Sequence, residues 1–235
     1  MTFLFNSNIF LIVAGIISFL GLNQSLTNCN FGTNVYIDLR NRKSYSQSQR
    51  INSLELKSSN NNSDPTPLRV FQMTDVHISS FTSISRVNEL SKKVVDINPD
   101  FVFLTGDYYT VETRNDDNAL ALALEPLKKL KGKVFACLGN HDYEQLSAIK
   151  DCLQQTDIVL LEDQEVVVES RVGKVQILGT NFYFNNNEEK MEKLFERFPR
   201  RNDVKIHITL VHNPLDFYYI KDGDTDVAFS GHFHG

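Results

Sequence analysis

The feature that most constrains the fold of this chain is a set of short apolar runs that each end in Asp, Asn or His. These runs span residues 70–77, 101–107, 134–142, 206–213 and 227–234. Runs of this length, rich in Val, Ile and Phe and closed by Gly, Asn or Asp, predict buried β-strands. Their polar ends predict loops, which is where ligand-binding and catalytic side chains concentrate.

The histidines follow the same pattern. Five of the six histidines stand at a predicted strand end. The exception is His207, which is predicted to be a packed or edge residue. In an extended segment alternate side chains point the same way, so His232 and His234 can face one point. Asp, Asn and His supply oxygen and nitrogen donors. This donor set is typical of sites for Mn, Fe, Zn or Mg and differs from that of a thiolate site. The sequence therefore predicts a metal site assembled from several strand ends.

Amphipathic segments between the strands predict helices near 84–95, 120–130, 142–153 and 188–198. Helices that alternate with strands predict an α/β domain. Residues 165–169 and 174–178 predict a hairpin, which adds antiparallel strands to an otherwise parallel arrangement. Mixed sheets follow from that combination.

The N-terminal third has a different composition. Residues 1–22 carry no charged side chain and include an apolar run that predicts a signal anchor or, as the alternative, a signal peptide. The first would tether the protein to a membrane, and the second would place it in a lumen or outside the cell. Residues 23–67 are rich in Ser, Asn and Gln and predict a polar linker with one short edge strand. The catalytic-type motifs all lie in residues 68–235.

Net charge argues against one class of partner. The chain carries a formal charge of −5, with no excess of Lys and Arg. Proteins that hold the phosphate backbone of DNA or RNA without sequence preference depend on clustered cations. A nucleic-acid partner, and with it a nuclease activity, is therefore disfavoured.

The motifs together resemble those of a known family. Asp75-x-His77, Gly106-Asp107, Gly139-Asn140-His141-Asp142, His212 and Gly231-His232-x-His234 follow one another in the order of the calcineurin-like metallophosphoesterases. Within that family the chain is similar to the membrane-anchored, YaeI-like phosphoesterases. The resemblance covers residues 68–235. It implies two packed mixed β-sheets flanked by helices, and it implies that the last strands of the family fold are missing after Gly235.

The resemblance also assigns roles to residues. It implies two divalent metal ions and a hydroxide between them that attacks a phosphate mono- or diester. The ligands of the first ion would be Asp75, His77 and His234. The ligands of the second would be Asn140, His212 and His232, and Asp107 would bridge both ions. His141, which is assigned no metal, would stabilise the transition state or protonate the leaving oxygen.

One departure from the family leaves alternatives open. Many relatives carry a second Asp three residues after the bridging one, where it orients the catalytic histidine, whereas this chain has Thr110. Either Asp142 or a water orients His141, or the histidine is poorly oriented. A non-catalytic binding module on the same fold is therefore the second interpretation. The substrate class is left open among phosphorylated small molecules, lipids and proteins.

Overall fold

The computed structural model describes residues 11–14, 33–38, 43–45, 55–56, 68–110 and 118–233. Within these ranges the strands are β1 (Leu11–Ala14), β2 (Thr33–Asp38), β3 (Lys43–Tyr45), β4 (Glu55–Leu56), β5 (Leu68–Met73), β6 (Phe101–Thr105), β7 (Val134–Cys137), β8 (Val159–Leu160), β9 (Gln164–Ser170), β10 (Gly173–Gly179), β11 (Ile206–Leu210) and β12 (Val227–Ser230). The α-helices are α1 (Ile84–Ile97), α2 (Ala119–Leu124), α3 (Leu146–Gln155) and α4 (Asn187–Arg197). The same described ranges contain 3₁₀ helices at Glu125–Leu130, His141–Gln145 and Pro214–Tyr219.

The strands form two sheets, and both are mixed. The first has the order β3-β2-β5-β6-β7-β8, with β4 also paired to β5, and the second has the order β1-β12-β11-β10-β9. Strands β5 to β8 are parallel to one another, while β2 and β4 run antiparallel to β5. In the second sheet β9 and β10 form the predicted antiparallel hairpin, and the other neighbours are parallel. The predicted mixed α/β architecture is therefore confirmed.

Alternation along each strand divides the apolar side chains between two cores. In β6, Phe101 and Phe103 pack between the two sheets, whereas Val102 and Leu104 pack beneath the helices α1 to α3. Phe229 of the second sheet belongs to the same inter-sheet core. A third apolar cluster joins the second sheet to α4. The layers are thus helix, sheet, sheet and helix, as the family resemblance implies.

The helices begin and end near their predicted positions, with two exceptions. Ser83 caps α1 through an N–H bond from Arg86, and Asn98 ends the helix in a left-handed conformation.

The helix predicted to begin near Asp142 starts at Leu146, because His141–Gln145 forms a 3₁₀ helix. The predicted helix over 120–130 is divided into α2 and a 3₁₀ helix. Pro126 lies at this division, and a proline has no N–H with which to continue the α-helical ladder.

A buried glutamine joins the two sheets below the loops that carry the metal-type residues. The amide of Gln72 in β5 donates to the hydroxyl of Thr105 in β6 at 2.9 Å and to the carbonyl of Ser230 in β12 at 2.8 Å. The ends of three strands are therefore fixed relative to one another. The residues that follow those strands are held close together as a result.

The predictions for the N-terminal third fall largely outside the described residues. Of residues 1–22, the described part is β1, which lies beside β12. Strands β2, β3 and β4 lie within residues 23–67, and β2 and β4 pair with β5. Among the described helices, none is long and apolar enough to cross a membrane. The signal anchor, the signal peptide and the linker stay predictions.

Candidate active site

The loops after β5 and β6 are bound to each other by their backbones. The N–H of Asp75 donates to the carbonyl of Gly106 at 3.0 Å, and the N–H of His77 donates to that of Asp107 at 3.1 Å. Asp75, His77 and Asp107 all have positive φ, with values of 51°, 40° and 56°. Non-glycine residues seldom adopt this conformation, and when they do they cluster at functional sites. Here it turns three strand-end side chains toward one another.

Two glycines allow this close approach. A Cβ on Gly139 would lie 2.8 Å from the carboxylate carbon of Asp107. A Cβ on Gly106, which has a φ of 91°, would lie 2.7 Å from Nδ1 of His212. The Gly-Asp and Gly-Asn-His motifs therefore have a steric reason, because any larger residue would push the carboxylate or the histidine out of place.

The first group of candidate ligands consists of Asp75, His77 and Asp107. One ligand atom from each of them lies within 4.8 Å of the others, so the group could hold a metal ion. Nδ1 of His77 lies 3.3 Å from the carbonyl of Tyr109, which leaves Nε2 facing Asp107 at 3.6 Å. The carboxylate of Asp75 accepts the backbone N–H of His232 at 2.9 and 3.1 Å. Each side chain is thus oriented by the backbone of a neighbouring loop.

The second group consists of Asp107, His212 and His232, whose ligand atoms also lie within 4.8 Å of one another. Nδ1 of His212 lies 2.6 Å from the carbonyl of Thr105, so Nε2 faces Asp107 at 3.2 Å. Burial opposes a charge on His212, but the carboxylate of Asp107 outweighs it and raises the pKa of His212 to about 9. Burial likewise opposes the charge of Asp107, yet His212 and His77 lower the pKa of that carboxyl. Asp107 is shared by both groups.

An orphaned polar atom gives an independent test of whether these residues fit a metal ion. Among the described residues, Oδ1 of Asn140 is buried and makes no hydrogen bond, and the buried Nε2 of His212 faces a carboxylate oxygen of Asp107 at 3.2 Å. Buried polar atoms without partners are costly and rare. A divalent cation accepts electron pairs from both kinds of atom, so the donor set fits a metal ion. His234, the remaining predicted ligand, lies outside the described residues.

His141 stands beside the two groups and belongs to neither. Its ring centroid is 5.4 Å from that of His77, and its side chain is 43% exposed, so a substrate can reach it. Its backbone N–H donates to Oδ1 of Asp107 at 3.0 Å. Nδ1 of the ring lies 3.5 Å from a carboxylate oxygen of Glu144. Glu144 is thus the acidic group next to this histidine; it was not predicted, although the His-x-x-Glu spacing is a signal for it.

The alternative in which Asp142 orients His141 is wrong. The Asp142 carboxylate is fully buried and accepts the backbone N–H groups of Gly139, Asp107 and Tyr108 at 2.7 to 2.9 Å. Its role is to fix the loops that carry Asp107. Burial, together with the charge of Asp107, raises the pKa of Asp142 to about 7. The hydroxyl of Thr110 lies 3.4 Å from the carbonyl of Ile78.

The pattern of strand-end ligands has a counterpart among known proteins. The profile of the calcineurin-like phosphoesterases matches residues 68–235. The chain belongs to this family. Its members bind divalent metals and hydrolyse phosphoesters, and the region matched includes every candidate ligand described above.

Individual relatives agree with the family match. The chain is 29% identical over 174 residues to the uncharacterized metallophosphoesterase YkoQ of Bacillus subtilis, 25% identical over 173 residues to the phosphodiesterase YaeI of Escherichia coli, and 27% identical over 217 residues to the UDP-2,3-diacylglucosamine pyrophosphatase LpxG of Chlamydia muridarum. Each alignment covers 72% of this chain and 61%, 61% and 64% of the three relatives in turn. The chain thus matches less than two thirds of the length of these calcineurin-like relatives.

Proposed function

We propose that this chain is a metal-dependent hydrolase of phosphate esters that holds two divalent cations on either side of Asp107. The observation that carries the proposal is the sharing of Asp107 between two groups of candidate ligands. One carboxylate between two cations offsets their mutual repulsion, and this arrangement recurs in two-metal phosphoesterases. Asn140, with its orphaned buried oxygen, would complete the second group, and His234 would complete the first.

The cations would supply Lewis acidity and a lowered pKa for water, which are the usual contributions of such sites to displacement at phosphorus. The protein's part is to hold the donors in place. Carbonyls of Tyr109 and Thr105 face Nδ1 of His77 and His212, so each ring presents its Nε2 to the shared carboxylate. The backbone of His141 holds the other carboxylate oxygen of Asp107. These donors need little rearrangement on binding a metal.

His141 would move a proton during the reaction. Its ring is next to the first ligand group and half exposed, which is where the leaving oxygen of a substrate can reach it. Glu144 beside Nδ1 would hold the ring with Nε2 toward that oxygen. A positioned acid of this kind contributes typically about 10²- to 10⁴-fold in rate. Glu144, three residues after His141, would thus take the orienting role that an Asp at the position of Thr110 has in many relatives.

The names of two relatives favour a diester substrate. YaeI is named a phosphodiesterase and LpxG a pyrophosphatase that acts on a UDP-sugar. Both names describe cleavage at a phosphorus that carries a second substituent. We therefore propose a phosphodiester or a pyrophosphate diester as the substrate class, and the acidic net charge of −5 disfavours nucleic acid.

The test combines metal content with hydrolysis. The purified chain, reconstituted with Mn²⁺ and dialysed, is assayed for bound metal and for hydrolysis of bis(p-nitrophenyl) phosphate. Asp107→Asn is compared with Asp203→Asn, because Asp203 is an exposed carboxylate paired with Lys174 and Arg201. We expect about two ions per wild-type chain. Asp107→Asn should lose metal and activity together, and Asp203→Asn should keep both.

Two outcomes would overturn the proposal in different ways. A folded wild-type chain that retains no metal would exclude a metal-dependent enzyme. A metal-loaded chain that hydrolyses neither mono- nor diesters across a broad panel would instead favour the non-catalytic binding module. The oriented His141–Glu144 pair argues for catalysis, because a binding module has no need of a positioned acid.

A further inference from the structure

A continuous row of aromatic rings lies against the second group of candidate ligands. We call it the aromatic wall, and its members are Tyr143, Phe182, Phe184 and Phe233. The ring centroids of Tyr143 and Phe184 are 5.4 Å apart, and those of Phe184 and Phe182 are 4.9 Å apart. The Phe182 ring lies 5.9 Å from His212 and 5.8 Å from His232. Phe233 continues the row at 5.3 Å from His232.

Two members of the wall are exposed to solvent, and the other two, Tyr143 and Phe182, are half-buried. Phe184 is 65% exposed and Phe233 is 59% exposed. Neither Phe182 nor Phe184 is part of the three apolar cores formed by the described residues. Large apolar side chains grouped on a surface mark binding sites more often than isolated ones do. Grouped beside candidate metal ligands, they form one wall of the same site.

The loop that carries the wall is held in a fixed conformation. Asp163 accepts the backbone N–H of Asn181 at 2.8 Å, its side-chain amide at 3.0 Å and the hydroxyl of Tyr183 at 2.6 Å. Asn181 and Tyr183 therefore point toward Asp163. Phe182 and Phe184, the residues that alternate with them, contact the histidines and Tyr143 instead. A polar anchor on the opposite side of the loop thus keeps Phe184 exposed and Phe182 half-buried beside the histidines.

From this arrangement we infer that the aromatic wall binds an apolar group carried by the substrate close to the reacting phosphorus. The inference rests on the proposed phosphoesterase function and narrows its substrate class. Phe182 touches two candidate ligands, so a phosphoryl group held between those ligands would place its second substituent along the wall. The group that the wall binds is an apolar substituent of the phosphodiester. This substituent is either an alkyl chain or an aromatic ring, which share the same apolar character.

The experiment varies that substituent and nothing else. The substrates are p-nitrophenyl methyl, p-nitrophenyl octyl and p-nitrophenyl phenyl phosphate, used below micelle-forming concentrations with the Mn²⁺-loaded full chain. All three release p-nitrophenol, so the leaving group is constant. We expect kcat/KM for the octyl or the phenyl diester to exceed that for the methyl diester by at least about tenfold. Whichever of the octyl and phenyl diesters has the higher kcat/KM shows whether the wall prefers an alkyl chain or an aromatic ring.

Two variants test whether the aromatic wall is responsible for the preference for the octyl or phenyl diester. Phe184→Ala removes a ring that contacts Phe182 and Tyr143 and none of the candidate ligands described above. It should reduce the preference to about threefold or less, because kcat/KM should fall more for the octyl or phenyl diester than for the methyl diester. Leu122→Ala is the matched control, because Leu122 on α2 is 57% exposed and belongs to none of the three apolar cores. It should keep the wild-type preference.

The outcomes separate this inference from the proposed function. Equal hydrolysis of all three diesters by the wild type, or an equal loss on all three in Phe184→Ala, would overturn the inference and leave the phosphoesterase intact. If no diester is hydrolysed, calorimetric binding of octyl-, phenyl- and methylphosphonate to the metal-loaded chain decides. If octyl- or phenylphosphonate binds at least about tenfold more tightly than methylphosphonate, and Phe184→Ala reduces this preference, the wall binds apolar groups even though catalysis is absent. Equal binding of all three phosphonates refutes the inference.

Discussion

A buried histidine outside the site should make the stability of this protein depend on pH. His207 lies in β11 with no exposed surface, and its ring packs 6.4 Å from that of Phe195. Of the two predicted positions for His207, packed or edge, the packed one is confirmed. Burial lowers the pKa of His207 from 6.5 to about 4, and the nearby carboxylate of Asp226 offsets this only in part.

The direction of the effect follows from which state takes up the proton. Between pH 6.5 and about 4 the unfolded chain protonates His207 while the folded chain does not. Stability is therefore greatest above the unfolded pKa and is lost as the pH falls toward the folded pKa. The full difference amounts to about 3 kcal/mol, of which about 2 kcal/mol is lost between pH 7 and pH 5.

Urea denaturation at pH 7 and pH 5, for the wild type and for His207→Met, measures this contribution. Other titrating groups act in both proteins, so the difference between the two pH-dependent changes isolates His207. We expect the wild type to lose about 2 kcal/mol more than the variant on acidification. If both lose the same amount, His207 is not a buried neutral histidine and the reasoning fails.

Three further variants test the site. Gly139→Ala should lower metal content and the melting temperature, because its Cβ would lie 2.8 Å from the carboxylate carbon of Asp107; unchanged metal content would contradict this packing. His141→Ala should keep the metal but lose about 10²- to 10⁴-fold in kcat for alkyl leaving groups and much less for p-nitrophenol; an equal loss on both would exclude the proton-transfer role. Glu144→Gln should show the same leaving-group pattern with a loss of about tenfold, and full activity on alkyl esters would remove its orienting role.

The arrangement of strands and candidate ligands was accessible from sequence because both follow from short-range patterns. Apolar runs closed by Asp, Asn or His predict buried strands with polar ends, and parallel strands bring such ends together. The two ligand groups around Asp107 are the result. His234 is predicted by the same pattern but lies outside the described residues.

Other parts of the site depend on contacts that a strand pattern does not contain. Asp142 and Glu144 are both acidic neighbours of His141, and only the 3₁₀ turn at His141–Gln145 decides that Glu144 faces the ring. Asp142 is drawn instead to three backbone N–H groups. The aromatic wall was missed because Phe182 and Phe184 follow β10 in a loop that also depends on a distant carboxylate, Asp163.

The measurement that tests the central claim most directly is anomalous X-ray diffraction from crystals of the Mn²⁺-loaded chain. The proposal predicts two anomalous peaks, one within reach of Asp75 and His77 and the other within reach of His212 and His232, with Asp107 between them. The peaks should be about 3.5–4 Å apart. A single peak, or peaks remote from Asp107, would contradict the two-metal site.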